Sequence, residues 1–218
     1  MENKNQEYLA SLAEIRAMME RSSRFISLSG LSGVFAGIYA LAGAAVAYFK
    51  FNYSGDYQPS WLEGGTMNPS FIKFVLGDAF LVLVLSLLTG IVFTYRKAKK
   101  QQQAVFGKPA RKMLINMLIP LATGGTLCLI LLYHDTRNLS LMAPATLIFY
   151  GLALLNGSKY TLDDIRYLGI CEIVLGLIAS VFMTYGLLFW AIGFGLLHIM
   201  YGVVMYYKHE RNTLSDKE

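Results

Sequence analysis

Long apolar segments separated by short polar connections dominate this sequence. Six such segments follow a polar stretch of some two dozen residues, and about 20 helical residues suffice to cross the hydrocarbon core of a bilayer. The pattern therefore predicts an all-α, polytopic integral membrane protein, a compact bundle of six transmembrane helices. The predicted spans are residues 25–49, 74–95, 113–133, 140–155, 166–185 and 188–207.

Two polar segments flank this predicted 25–207 transmembrane domain. Residues 1–24 have the pattern of an amphipathic helix, which would lie on the membrane surface, pack on its own bundle or bind a protein partner. The tail, residues 208–218, is predicted to be a frayed polar end. The apolar face of the N-terminal segment is formed by Tyr8, Leu12, Ile15 and Met19.

Charge is scarce and unevenly distributed. The chain is 55% hydrophobic and 15% charged, with a formal net charge of +5, whereas soluble domains are about 25% charged. Lysine and arginine concentrate before the first span, in the 96–112 connection and in the tail, and are few in the 50–73 and 134–139 connections. The positive-inside rule then predicts cytoplasmic N- and C-termini. With no signal or organelle address, we expect a bacterial-type inner membrane, and no pattern indicates a nucleic-acid partner.

Each of the last two predicted spans carries one ionisable residue in its interior, Glu172 in the fifth and His198 in the sixth. Both have a glycine three positions before and another four positions after, so each glycine pair shares a helical face with the ionisable residue. Such faces pack against neighbouring helices. The two side chains differ in predicted height by roughly 5 Å, which permits a hydrogen bond, direct or through water. Ser32 and Asn116 are expected in the same cytoplasmic half.

Glu172 and His198 admit a structural and a functional interpretation. A carboxylate inside a bilayer costs roughly 2.5–3.5 kcal/mol on insertion scales, so it has either a partner or a role. Glu172 is thus an acid hydrogen-bonded within the bundle, or a proton- or ligand-binding group that lines a cavity open to the cytoplasm. One Glu and one His are too few to hold a metal, and no cofactor motif is present. Asp78 is interpreted as an interfacial, solvated residue.

Gly30-Leu31-Ser32-Gly33 resembles the GxSG motif of the rhomboid intramembrane serine proteases, which also have six-span cores and a histidine on a later span. The resemblance implies Ser32 as nucleophile, His198 as base and Glu172 as the group that orients it. The four residues lie on the first predicted span, whereas rhomboids carry the motif on their fourth. The glycine spacing that follows the rhomboid histidine is not reproduced after His198.

Three functions therefore stand at this point. The leading one is a small transporter or ligand-binding membrane protein, with a site formed by Glu172, His198, Ser32 and Asn116 and a small molecule or ion as its substrate. The second is a non-catalytic membrane subunit or regulator that binds a partner through residues 1–24 and the basic loop. The third is an intramembrane serine hydrolase, and the absence of enzyme motifs favours a protein that is not an enzyme.

Local signals also mark helix ends and bends. Asn156-Gly157-Ser158 predicts the end of the fourth span, and Thr161 to Asp164 has the form of an N-terminal capping box for the fifth. Pro120, inside the third span, predicts a kink because proline removes a backbone hydrogen bond. Cys128 and Cys171 both lie in apolar segments and are predicted to be free, buried thiols.

Overall fold

A computed structural model describes residues 11–12, 25, 28–53, 69–100 and 107–208 of the chain. The described residues are almost entirely helical and include no strand. This is expected in an apolar environment, because a helix satisfies its own backbone hydrogen bonds. The predicted amphipathic helix lies outside the described residues except for Ser11 and Leu12, which are helical. Most of the tail and of the 50–73 connection also lie outside them.

The described residues form six helices, two of which have an irregular first turn. A 3-10 segment, Thr136–Leu141, precedes α4. In α6, a 3-10 turn and a short α-helix lead into a seven-residue π-helical segment, Ala191–Leu197, before the α-helix resumes at His198. The helices are α1 (Gly30–Tyr53), α2 (Pro69–Lys100), α3 (Lys108–His134), α4 (Met142–Ser158), α5 (Asp164–Val181) and α6 (Met183–Tyr206).

Five of the helices are long and apolar enough to cross a membrane, which confirms the multi-pass membrane character but not all six predicted crossings. The exception is α5, whose 18 residues include three charged side chains, Asp164, Arg166 and Glu172. Several helices extend beyond the predicted spans, because the helix continues into the polar residues that flank the apolar segment. The clearest case is α2, which has 32 residues, about 48 Å at 1.5 Å per residue.

Helix packing divides the bundle into two neighbouring groups. The most extensive pair is α4 with α5, and α3 packs on the outside of α4. In the other group α1 lies between α2 and α6. The groups join where α6 contacts both α4 and α5, so α6 is the helix that bridges the whole bundle.

Backbone approach at glycines brings α1 and α6 together. A Cβ atom at Gly37 would lie 2.6 Å from the carbonyl oxygen of Gly195, and one at Gly33 would lie 3.4 Å from the Cα of Gly202. Close helix packing of this kind needs small residues on both sides. The glycines beside His198 therefore face the bundle, as the spacing predicted.

Contacts between helix ends show that neighbouring helices are antiparallel. Lys97, in the last turn of α2, donates a hydrogen bond of 2.6 Å to the carbonyl of Leu28, just before α1. Lys208, after α6, forms an ion pair of 2.9 Å with Asp164 at the start of α5. The hydrogen bond that Lys208 donates to the carboxylate of Asp164 holds the pKa of Lys208 above its ordinary value.

The predicted capping box is not formed. Asp163 occupies the N-cap position of α5 and makes no capping hydrogen bond with its side chain. Thr161 instead donates a hydrogen bond of 2.6 Å to the carbonyl of Phe25, and the backbone N–H of Phe25 donates one of 2.7 Å to the carbonyl of Tyr160. A tertiary contact thus uses the hydroxyl that the local pattern assigned to the helix end.

Candidate functional site

Glycine contacts between α4 and α5 bury Glu172 completely. A Cβ atom at Gly169 would lie 2.8 Å from the carbonyl oxygen of Gly151, and one at Gly176 would lie 2.7 Å from the side chain of Ile148. Because Glu172 lies between these two glycines on the same face of α5, its side chain enters the centre of the bundle. Its exposed fraction is 0%.

His198 of α6 faces Glu172 from the opposite side. Its Nδ1 atom lies 3.4 Å from Oε1 of Glu172 and 3.0 Å from the carbonyl oxygen of Gly193. A Cβ atom at Gly193 would lie 2.6 Å from Oε2 of Glu172. The absence of a side chain at Gly193 is therefore what lets the carboxylate approach α6.

The hydroxyl of Tyr150 on α4 completes the polar group, 2.8 Å from Nε2 of His198. The carbonyl of Gly193 can only accept, so Nδ1 carries the proton in that hydrogen bond. In a neutral imidazole Nε2 then accepts, and Tyr150 is the donor. Glu172, His198 and Tyr150 thus form a continuous polar chain across α5, α6 and α4, which we call the polar triad.

The carboxylate is the unsatisfied end of the polar triad. Both oxygens of Glu172 are buried, and none of the described residues donates a hydrogen bond to either. The nearest donor, Nδ1–H of His198, is directed at Gly193. Burying a polar group without a hydrogen bond costs free energy, and burying an unpaired charge costs more. The polar triad can therefore accept a proton or a cation at Glu172.

Aromatic rings form one wall of the site. Trp190, Phe194 and His198 recur every four residues along α6, and the ring centroids of Trp190 and Phe194 are 5.0 Å apart. The ring of Tyr150 lies 5.0 Å from that of Phe194 and 5.3 Å from that of His198. The rings of Tyr150 and Phe194 thus both adjoin the imidazole of His198, and Trp190 extends this row of rings beyond Phe194.

Ser32 and Asn116, the other two predicted ligand-binding residues, are not part of this group. The hydroxyl of Ser32 donates a hydrogen bond of 2.6 Å to the carbonyl of Ser29. Asn116 is exposed on α3 and its side chain donates to the carbonyl of Lys112. Only Glu172 and His198 of the predicted four come together.

The trio implied by the rhomboid-like motif is likewise not assembled. Both ring nitrogens of His198 have other partners, Gly193 and Tyr150, and Ser32 is bonded within its own turn. A serine activated by a histidine needs a direct hydrogen bond between them. Among the described residues, Ser32 and His198 share no hydrogen bond.

Asp78 lies at a helix contact rather than free at the interface. Its side chain is half-buried, and a Cβ atom at Gly43 of α1 would lie 3.2 Å from Oδ2. Asp78 is thus a second carboxylate within an apolar helix, but it belongs to the α1–α2 contact and not to the polar triad.

Sequence reasoning did not single out Tyr150. The signal was present, because Tyr150 is the only residue with a hydroxyl between positions 147 and 155 and directly precedes Gly151, which contacts α5. Both interpretations of Glu172 placed it inside the bundle, either hydrogen-bonded among the helices or lining a cavity. The side chain is fully buried.

No family model, no curated protein and no solved structure matches this chain. Among the described residues, no group of three or more His, Cys, Asp or Glu side chains could hold a metal ion. Cys128 and Cys171 are free thiols. The function of the site must therefore be inferred from the positions of its own residues.

Proposed function

We propose that this protein is a small multi-pass membrane transporter or ligand-binding protein that binds a small cation at the polar triad. The five apolar helices fit a membrane protein in general. The cation-binding role is our proposal, and it depends on one observation. This is the fully buried carboxylate of Glu172, which receives no hydrogen bond from the described residues.

A purely structural role explains this carboxylate poorly. Structural polar groups in a bundle stabilise it through satisfied hydrogen bonds, and a half-satisfied network is less favourable than an apolar core. His198 and Tyr150 satisfy each other, whereas Glu172 adds a cost. Residues that cost stability are typical of sites.

The surroundings favour a positively charged ligand. A carboxylate attracts a cation, and the faces of aromatic rings attract one as well. Glu172 supplies the first contact, and Tyr150, Phe194 and Trp190 supply rings that adjoin one another. The ligand class is therefore an ammonium-type cation, ammonium itself or a small amine.

Access to the site requires the packing between α6 and the α4–α5 pair to loosen. The π-helical segment Ala191–Leu197 lies at this contact and includes Gly193. Such segments are rare and frequently occur at functional sites. We infer that α6 bends there to admit the ligand.

The proposed topology has six crossings with both termini in the cytoplasm, in a bacterial-type inner membrane. The end-to-end contacts of α2 with the start of α1, and of α6 with the start of α5, support alternating directions. The charge distribution supports the orientation.

Thermal unfolding of the detergent-solubilised protein in the presence of candidate ions tests the ligand class. The panel contains sodium, potassium, ammonium and methylated amines, with small carboxylic acids as the opposite class. A ligand that binds only the folded protein raises its unfolding temperature in proportion to the logarithm of its concentration. We expect at least one cation to do so, and no acid.

The test variant is Glu172→Gln and its matched control is Asp78→Asn, since each removes one carboxylate from an apolar helix. The stabilisation should disappear in Glu172→Gln and persist in Asp78→Asn. Equal stabilisation of both variants, or none of the wild type by any cation, would refute cation binding at Glu172.

A further inference from the structure

An open depression of about 620 Å³ lies on α2, far along the helix from Asp78. The described residues that line it all belong to the last three turns of α2, and no acidic side chain is among them. They are Ile91, Val92, Tyr95, Arg96, Lys99 and Lys100.

These six residues form two parallel ridges on the helix surface. Side chains four positions apart lie one above the other. One ridge therefore runs through Ile91, Tyr95 and Lys99, and the other through Val92, Arg96 and Lys100. Along both ridges the side chains become more polar toward the C-terminal end of α2. Each ridge begins with a branched apolar residue and ends, about 12 Å further along the helix, with a basic one.

The part of α2 that carries the depression faces outward. None of the most apolar stretch of α2 is buried among the described residues, and Tyr95 has an exposed fraction of 55%. In a membrane this surface faces lipid. The basic ends of the ridges then lie near the level of the headgroups, where tyrosine side chains and long basic ones are favoured.

We propose that this depression, the α2 groove, binds the headgroup and upper acyl chain of an anionic phospholipid. Arg96, Lys99 and Lys100 would pair with the phosphate and its negative headgroup. Ile91 and Val92 would contact the acyl chain between the ridges. The dipole of α2 accounts for basic residues in its last turn, but not for an apolar groove that leads up to them.

The lipid rather than a soluble phosphate is the occupant that fits both halves of the groove. A free phosphate ion would use only the three basic side chains. A phospholipid uses these and the apolar residues below them, and it is present wherever the helix is embedded. This proposal is independent of the polar triad, which lies on α4, α5 and α6.

Lipid binding to the purified full-length protein can be measured by native mass spectrometry, with phosphatidylglycerol and phosphatidylcholine as probes. The test variant replaces Arg96, Lys99 and Lys100 with Gln. The matched control replaces Lys108, Arg111 and Lys112, three exposed basic residues of α3. Each Lys or Arg near an anionic surface strengthens binding several-fold, so the test variant should bind phosphatidylglycerol on the order of 100-fold more weakly.

The control variant should bind phosphatidylglycerol within a few-fold of wild type, and phosphatidylcholine should bind weakly to all three proteins. Excess inorganic phosphate should not displace the lipid. The single variant Lys99→Gln, with several-fold weaker binding, serves if the triple variant does not fold. Equal losses in the two triple variants, or full displacement by inorganic phosphate, would overturn the α2 groove as a lipid site.

Discussion

The residues of the polar triad contribute to the stability of the fold in opposite directions. Tyr150 and His198 satisfy each other through a hydrogen bond of 2.8 Å, so each stabilises the fold by keeping the other paired. Glu172 lies 3.4 Å from the same imidazole but receives no hydrogen bond from the described residues. A fold that needed only stability would gain little from keeping this carboxylate.

This difference predicts opposite results for two conservative substitutions. Tyr150→Phe removes the partner of a buried ring nitrogen, which should lower the free energy of unfolding by about 1–3 kcal/mol. Glu172→Gln breaks no hydrogen bond with the described residues and removes a buried group that can carry a charge. It should leave the unfolding temperature unchanged or raise it. Thermal unfolding in detergent without added ligand measures both.

The control for the tyrosine change is Tyr133→Phe, because Tyr133 has an exposed fraction of 90%. It should unfold as the wild type does. A fall for Glu172→Gln as large as that for Tyr150→Phe would mean that Glu172 is a structural partner of the polar triad, and the proposed site would lose its main support.

At the scale of helices, the approach of His198 to Glu172 could be predicted from the sequence, because it depends on the local spacing of glycines around each residue. The glycines on either side determine which face of each helix packs inward, and 3.6-residue periodicity carries that information along the chain. Features that depend on distant segments could not be predicted in this way. Thr161 was assigned to a capping box, but its hydroxyl binds the carbonyl of Phe25, 136 residues away.

The π-helical segment of α6 is another feature that local pattern does not reveal. Ala191–Leu197 has the composition of an ordinary apolar helix, and its irregular hydrogen bonding depends on the helices around it. For Tyr150, the local pattern marks a hydroxyl next to a packing glycine but does not give the partner of that hydroxyl. A tyrosine in an apolar segment becomes a site residue only when the partner of its hydroxyl is known.

Two adjacent glycines of α3 provide a test of the helix packing. A Cβ atom at Gly124 would collide with Cβ and Cγ of Phe149 on α4, whereas one at Gly125 would have no neighbour within 4 Å. Gly124→Ala should therefore lower the free energy of unfolding by about 1–3 kcal/mol. Gly125→Ala should leave it unchanged or raise it slightly, since alanine favours a helix more than glycine does.

The same thermal unfolding assay compares the two alanine variants in one background. They differ by one position along one helix, so composition and depth are almost the same. Equal stability of the two variants would show that α3 does not pack on α4 through Gly124, contrary to the arrangement described above.

For the whole molecule, the proposed six crossings require α5 to cross the membrane. Its 18 residues include three charged side chains, yet it packs along the full α4–α5 contact and holds Glu172 at the centre. A helix that crosses places its two flanking turns on opposite sides. Lys159 lies in the turn before α5 and Tyr185 in the first turn of α6, just after α5, and both are exposed.

Cysteine labelling of Lys159→Cys and Tyr185→Cys in intact cells decides the topology. With Cys128 and Cys171 replaced by alanine, a membrane-impermeant maleimide should label Tyr185→Cys directly and Lys159→Cys only after permeabilisation. Lys208→Cys, beyond the end of α6, should behave as Lys159→Cys does. Labelling of both turns from one side would mean that α5 does not cross. The reverse pattern would place the termini outside and contradict the orientation inferred from the basic residues.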